Sequence, residues 1–288
     1  MVLQAIKKIV VTGGSGRLGQ LVIQELLRHD YQVLSLDRVR PAVNVCPSWI
    51  ADLRSPGDLY QALTGAQAVV HLGAYQAPGL APDAEIFGNN VTASYNVLKA
   101  ACDLGVKKVV MASSTAAFGF IYALQGMVPE YLPLDEKHPS RPQDSYGLSK
   151  LVAEQIADSV ALVHPDITIS SLRFPGVIFD FSYDSVRERW KDPGARSSTS
   201  WAYIDGRDAA TACRLAIVAE FAGHEVMIVA APTSSMREPT VELIEKYLGP
   251  NVPVKNARVN NWSGVSSAKA EKILGFKARY GWENFLTI

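Results

Sequence analysis

The apolar positions of this chain follow two rhythms. Short continuous runs rich in Val and Ile, at Ile6–Val11, Tyr31–Leu36, Ala68–Leu72, Lys107–Ala112 and Ile167–Leu172, predict strands buried on both faces. Between them the apolar spacing stretches to three and four, as at Leu18, Val22, Leu26 and Leu27 within Arg17–His29, which predicts amphipathic helices. Ala84–Leu104 and Gln143–Val163 read as long helices. Ser55–Leu63 reads as a short one, with Ser55 placed as its cap and Pro56 at its first position. Trp49–Ala51 predicts a short strand before Asp52. Further along come a helix near Gly206–Ala219, a strand at Glu225–Ala230, and helices near Pro239–Leu248 and Ser266–Leu274. Phe174–Ser200 follows neither rhythm and is expected to be irregular. Strands alternating with helices predict an α/β fold: a doubly wound parallel sheet covered on both faces. The loss of rhythm after Arg173 divides the chain into a first domain over 1–173 and a small substrate-binding lobe over 174–288. Elements near 203–231 are expected to return to the first domain.

Composition narrows the possible partners. The chain has 288 residues, 48% hydrophobic and 19% charged, enough to bury a large core. Its formal net charge is zero, without the concentrated basic face that nucleic acid or an anionic membrane would demand. No apolar run approaches the ~20 residues of a membrane span. Cys46, Cys102 and Cys213 are scattered and odd in number, which predicts reduced thiols in a cytoplasmic protein and no metal site.

The first candidate chemistry is the stretch Thr12-Gly13-Gly14-Ser15-Gly16-Arg17-Leu18-Gly19 between the first predicted strand and helix. Gly13 suits a sharp turn, Gly16 a close backbone approach to a pyrophosphate, and Gly19 tight packing of helix on strand. The helix start adds free N–H groups and a partial positive charge, so Arg17 and Leu18 belong to the expected dinucleotide cradle. Asp37 ends the second strand, where a carboxylate accepts from the adenosine ribose hydroxyls and repels a 2′-phosphate, favouring NAD over NADP. Arg38 beside it could stack on adenine or pair with a 2′-phosphate. Asp52, followed by Leu53, could reach the adenine edge or serve as a turn aspartate.

The second is Tyr146-Gly147-Leu148-Ser149-Lys150, which puts Tyr146 and Lys150 on one face of a helix. A tyrosine ordinarily titrates near 10. A cation ~4 Å away contributes on the order of 4 kcal/mol at an effective dielectric of 20, or about three pKa units, so Lys150 could turn Tyr146 into a workable base. Ser113, Ser114 and Thr115 close the fifth strand, beyond whose carboxyl end an α/β sheet binds its ligands. One of these hydroxyls could orient a substrate oxygen against Tyr146, while at least one satisfies loop backbone.

Together these motifs resemble an extended short-chain dehydrogenase/reductase of the NAD-dependent epimerase/dehydratase family, along most of the chain. Thr12–Gly19 resembles the T-G-G-x-G-x-x-G loop, His71-Leu72-Gly73-Ala74 the H-L-A-A segment, Ser113–Gly119 the S-S-S-x-x-Y-G segment, and Tyr146–Lys150 the Y-x-x-x-K pair. Leu172-Arg173-Phe174 and Ser267–Ala270 with Leu274-Gly275-Phe276 resemble later family signatures. The resemblance implies a Rossmann-like sheet over 1–173 that binds NAD. It makes Ser114, Tyr146 and Lys150 a catalytic triad, with Lys150 also on the nicotinamide ribose. It adds Leu72, Gly73, Ala74 and Asn90 to the cofactor site. It implies hydride transfer between NAD and a hydroxyl of a sugar, sugar acid or polyol, with an epimerase that retains its NAD as the alternative and a non-catalytic NAD-binding regulator as a lesser one. Arg173-Phe174-Pro175-Gly176 lacks the asparagine of nucleotide-sugar enzymes, and the stretch from there to Asp205 is short. That shorter layout is similar to uronate dehydrogenase. Arg196, ahead of Ser197–Trp201, then stands where that family binds a sugar-acid carboxylate, and Gln76 and Thr115 stand near its substrate-binding serine and asparagine. A homodimer through the two long helices is also implied, with Ala93, Val97, Ala100, Ala101, Leu151 and Ala161 as candidate contacts.

Overall fold

The computed structural model describes residues 7–255 and 260–286; residues 1–6, where the expected first strand would begin, lie outside them. The strands β1 (Lys8–Thr12), β2 (Gln32–Asp37), β3 (Ser48–Ile50), β4 (Ala68–His71), β5 (Lys108–Ser114) and β6 (Thr168–Phe174) form one parallel sheet. Alternate residues of β1 serve opposite faces. Ile9 and Val11 join a core under the helices α1 (Arg17–Leu27) and α6 (Gly206–Val218). Val10 joins one under α2 (Pro56–Leu63), α3 (Asp83–Asp103) and α4 (Ser145–Val163). That two-faced burial is why the strands read as unbroken apolar runs. Counting the last strand, β9 (Gly223–Ile228), the order is β3-β2-β1-β4-β5-β6-β9. The winding reverses between β1 and β4, which opens a crevice at their carboxyl ends. The fold is Rossmann-like.

Three expectations need correcting. Phe174–Ser200 is not irregular: it holds β7 (Gly176–Ile178), α5 (Asp184–Arg189) and a 3₁₀ turn over Pro193–Thr199. β7 pairs with β8 (Tyr203–Asp205) in a separate two-stranded sheet, and elements this short leave too few residues for a period to show. On α3, Ala93, Val97, Ala100 and Ala101 all lie in the chain's own core beneath the sheet, so they are covered without a second subunit. Ala161 is only partly buried and packs on the same core. Ser55 makes no side-chain capping bond, although Pro56 does open α2.

A further apolar cluster joins Phe118, Phe120, Leu132 and Leu134 to Trp201, Met236 and Trp262, and to Leu243 and Ile244 of α7 (Thr240–Tyr247). α8 (Ala268–Leu274) returns to the main core through Ala270 and Leu274. Among the described residues no helix is long and apolar enough to cross a membrane, and no group of three metal-ligating side chains exists.

Candidate active site

A cavity of about 780 Å³ runs along the carboxyl ends of the strands, from the β1–α1 loop past Tyr146 and Lys150 to Arg196. At one end the wall is main chain. Gly13 has φ +69°, and a Cβ there would stand 2.6 Å from the Gly73 nitrogen, so only glycine lets the two loops touch. A Cβ on Gly19 would collide with the Gly13 carbonyl oxygen. Gly16 caps α1 without a side chain, which leaves the first N–H groups of the helix free toward the cavity. Asp37 ties this loop to β2: its carboxylate accepts from the Ser15 nitrogen at 2.9 Å. Asp37, Arg38, Leu53, Leu72, Gly73 and Ala74 all line the cavity beside Gly13, Gly16, Arg17, Leu18 and Gly19. Arg38 lies 5.2 Å from the centre of the Tyr75 ring.

Asp52 also lines the cavity, but its carboxylate is engaged by Arg54, 2.7 Å away. Asn90 stands behind the wall. Its side chain accepts from the Tyr75 nitrogen at 2.8 Å and donates to the Tyr75 carbonyl and the Ser149 hydroxyl, each at 3.0 Å. It therefore pins the loop after β4 to α4.

The middle of the cavity holds the hydroxyl and lysine groups. Asp144 caps α4 by accepting from the Gly147 nitrogen at 2.8 Å, which fixes the first turn carrying Tyr146. Lys150 lies one turn on, with Nζ 5.7 Å from the Tyr146 ring centre and donating to the Ala112 carbonyl at 2.7 Å. Burial dominates both groups. It pushes the Tyr146 phenol up to about 12, against a smaller downward pull from the Ser114 hydroxyl. It pushes the Lys150 ammonium down to about 8, against an upward pull from Glu154. The expected lowering of Tyr146 by Lys150 is not found within the protein itself, where desolvation sets the phenol and the Lys150 ammonium is turned to the Ala112 carbonyl.

The three hydroxyls after β5 have separate partners. Ser113 donates to Glu154 at 2.5 Å, and Glu154 is held bidentately by buried Arg173 at 2.8 and 2.6 Å. Thr115 is buried, donates to the Phe174 carbonyl at 3.5 Å and is absent from the cavity wall, which removes it from the substrate-binding candidates. Ser114 accepts from the Ala116 nitrogen at 3.1 Å and faces Tyr146 in the cavity wall.

Beyond Tyr146 the wall is made of side chains, Gln76, Tyr122, Arg196 and Arg189, while the Phe179 ring lies 4.5 Å from the Arg17 guanidinium at the start of α1. Tyr122 meets Tyr146 edge to face with ring centres 6.2 Å apart. Arg189 was legible in the sequence only as one of several nearby basic residues. The structure separates it from them, since Arg187 pairs with exposed Asp184 and Lys191 with exposed Glu188. Nη1 of Arg189 and Nε of Arg196 are buried without a hydrogen-bond partner among the described residues. Tyr122 and Phe179 carried no sequence signal, because aromatic residues without a motif read as core.

Residues 9–178 match the model of the NAD dependent epimerase/dehydratase family. UDP-glucose 4-epimerase 2 of Oryza sativa is 28% identical over 59% of this chain and 44% of its own length. L-arabinose 1-dehydrogenase (NAD(P)(+)) of Haloferax volcanii is 30% identical over 63% of the chain and 70% of its own. The matched segment spans about half the length of the first of the curated relatives. Among solved structures, UDP-glucose 4-epimerase from Bifidobacterium longum, in complex with NAD+ and UDP, superimposes with a TM-score of 0.72. It is 21% identical over 97% of this chain and 96% of that one, a likeness of fold.

Proposed function

The chain belongs to the NAD-dependent epimerase/dehydratase family, and on that premise we propose that it is an NAD-dependent oxidoreductase of the extended short-chain dehydrogenase type, acting on a hydroxyl of a sugar, sugar acid or polyol. The observation that carries this reading is the single cavity that joins the glycine loop to Tyr146, Lys150 and Ser114. The residues fit NAD: the close approach at Gly13, the uncapped start of α1 and the carboxylate of Asp37 suit a diphosphate and an unphosphorylated ribose. Bound NAD supplies the two-electron acceptor and, in its oxidised ring, a positive charge.

Tyr146 takes the proton of the reacting hydroxyl. Ser114 holds that oxygen by hydrogen bonding, and Lys150 stabilises the phenolate as well as the nicotinamide ribose. A phenol raised to about 12 is a poor base near neutrality, so both Lys150 and the cofactor charge are needed to bring it into range. Gln76 contributes to the substrate wall. Arg196 anchors an anionic group of the substrate, consistent with the similarity to uronate dehydrogenase. Segment 174–288 serves as the substrate lobe, and 1–173 as the NAD-binding domain. The protein acts as a homodimer through the outer faces of α3 and α4, where Tyr95 and Leu148 are exposed and Leu151 is half-buried. Three unpaired thiols suit a reducing, cytoplasmic compartment.

The test is NADH formation, followed by absorbance, over a panel of sugars, sugar acids, polyols and their phosphates with NAD or NADP. Turnover with one class, its KM raised at least tenfold in Arg196→Ala, supports the reading. The relatives named as UDP-glucose 4-epimerases favour a second reading, an epimerase that oxidises a carbon and reduces it again from the other face. No net turnover, with NAD retained through purification, would favour that one.

A further inference from the structure

The cavity carries a charge imbalance that Arg196 alone does not account for. Five cationic side chains line it, Arg17, Arg38, Lys150, Arg189 and Arg196, against two carboxylates, Asp37 and Asp52. Asp52 is already committed to Arg54. A dinucleotide diphosphate bears on the cations at the glycine-loop end. Arg189 and Arg196 remain, both on the wall of the same cavity, where burial first and the Arg196 charge next push Arg189 down to about 10. Asp180, the carboxylate acting on Arg189, has its oxygens taken by the Ser185 nitrogen at 2.7 Å and the Ser185 hydroxyl at 2.6 Å. Two neighbouring guanidinium groups with buried, unpartnered N–H donors are costly unless an anion completes them.

We infer that Arg189 and Arg196 form a two-armed receptor for a phosphate monoester, so that the substrates are phosphorylated sugars or polyols; this rests on the redox reading of the same cavity. A carboxylate brings one charge and two oxygens, enough for a single guanidinium fork. A phosphate monoester brings roughly 1.5 to 2 negative charges near neutrality and three acceptor oxygens, enough for two forks. The arms come from different elements, Arg189 from the end of α5 and Arg196 from the 3₁₀ turn. Gly176 of β7 lies beside the Arg196 guanidinium: a Cβ there would stand 3.4 Å from Nη2, in ordinary contact. Arg189 is accordingly a specificity-determining residue.

The probes are inorganic phosphate and acetate, each titrated calorimetrically into the NAD-saturated protein. Phosphate is expected to bind at least tenfold more tightly than acetate. Arg189→Met and Arg196→Met should each weaken phosphate at least tenfold, and Arg189→Lys should weaken it less than Arg189→Met. Arg187→Met, which lies outside the cavity wall and pairs with exposed Asp184, should not change it. Acetate binding as tightly as phosphate, or phosphate binding unchanged in Arg189→Met, overturns the receptor. Steady-state kinetics separate the two readings. Turnover of a uronate with KM unchanged in Arg189→Met overturns the phosphate class and leaves the oxidoreductase standing. Phosphate binding that needs both arginines, without NADH formation from any substrate, upholds the receptor and overturns the redox reading.

Discussion

At the glycine-loop end of the cavity the walls are main chain, and each close approach is also a packing contact of the fold: Gly13 against Gly73, Gly19 against Gly13. At the arginine end the walls are long side chains projecting from short elements, with donors that the protein leaves unpaired. The first end cannot change without disturbing the sheet. The second holds functional groups at a cost to stability, so substitutions there should alter binding while sparing or even improving the fold.

The largest effect is expected where the two ends meet. Tyr146→Phe should lower turnover about 10²- to 10⁴-fold while leaving NAD affinity and the melting temperature nearly unchanged. An equal loss of NAD affinity would mean that Tyr146 belongs to the cofactor framework. Next comes Gly19→Ala, whose Cβ has nowhere to go: about 1–3 kcal/mol of stability should disappear together with NAD affinity, read by thermal melts and calorimetry. Loss of only one of the two would separate cofactor binding from packing. Lys150→Met is predicted to lower activity, by less than Tyr146→Phe does, yet raise stability at pH 7. A buried lysine at about 8, against an ordinary 10.5, disfavours the folded chain while it is charged. That penalty is full below about pH 8 and fades as pH rises toward 10.5, so the gain from Lys150→Met should shrink between pH 8 and 10. A gain that does not depend on pH would show that the lysine's charge is not its source. The smallest effect is that of Arg196→Met, which should change stability by less than about 1 kcal/mol, in the stabilising direction, because it removes a partly buried cation repelled by Arg189. A loss as large as that of Gly19→Ala would make the arginine end part of the framework too.

The same contrast decides what was legible beforehand. Gly13, Gly16, Gly19 and Asp37 were readable because steric need at a strand–helix junction restricts residue type and position together. Tyr146 and Lys150 were readable because the helical period sets their common face. Asn90 and Thr115 show the limit of that logic: spacing put them near the site, but a neighbouring loop claimed one and the Phe174 carbonyl draws the other. Arg189 was obscured for the opposite reason. Nothing in the sequence distinguishes it from Arg187 or Lys191, and only the packing of α5 turns one of them inward. The alanines of α3 failed as interface candidates because small residues suit close packing on a sheet as well as packing on a partner.

The position of β9 in the sheet bears on how the chain reaches this state. The strand that pairs with β6, Thr168 with Gly223 through Arg173 with Ile228, arrives only after the whole arginine-bearing excursion has been passed. During synthesis β6 therefore waits as an open edge until those residues have left the ribosome. Closing so long a parallel crossover is slow, because loop entropy is lost before any pairing compensates for it. The excursion is thus tethered at both ends to the cofactor sheet, and a change that lengthens or stiffens it would register in the folding rate as well as in substrate choice.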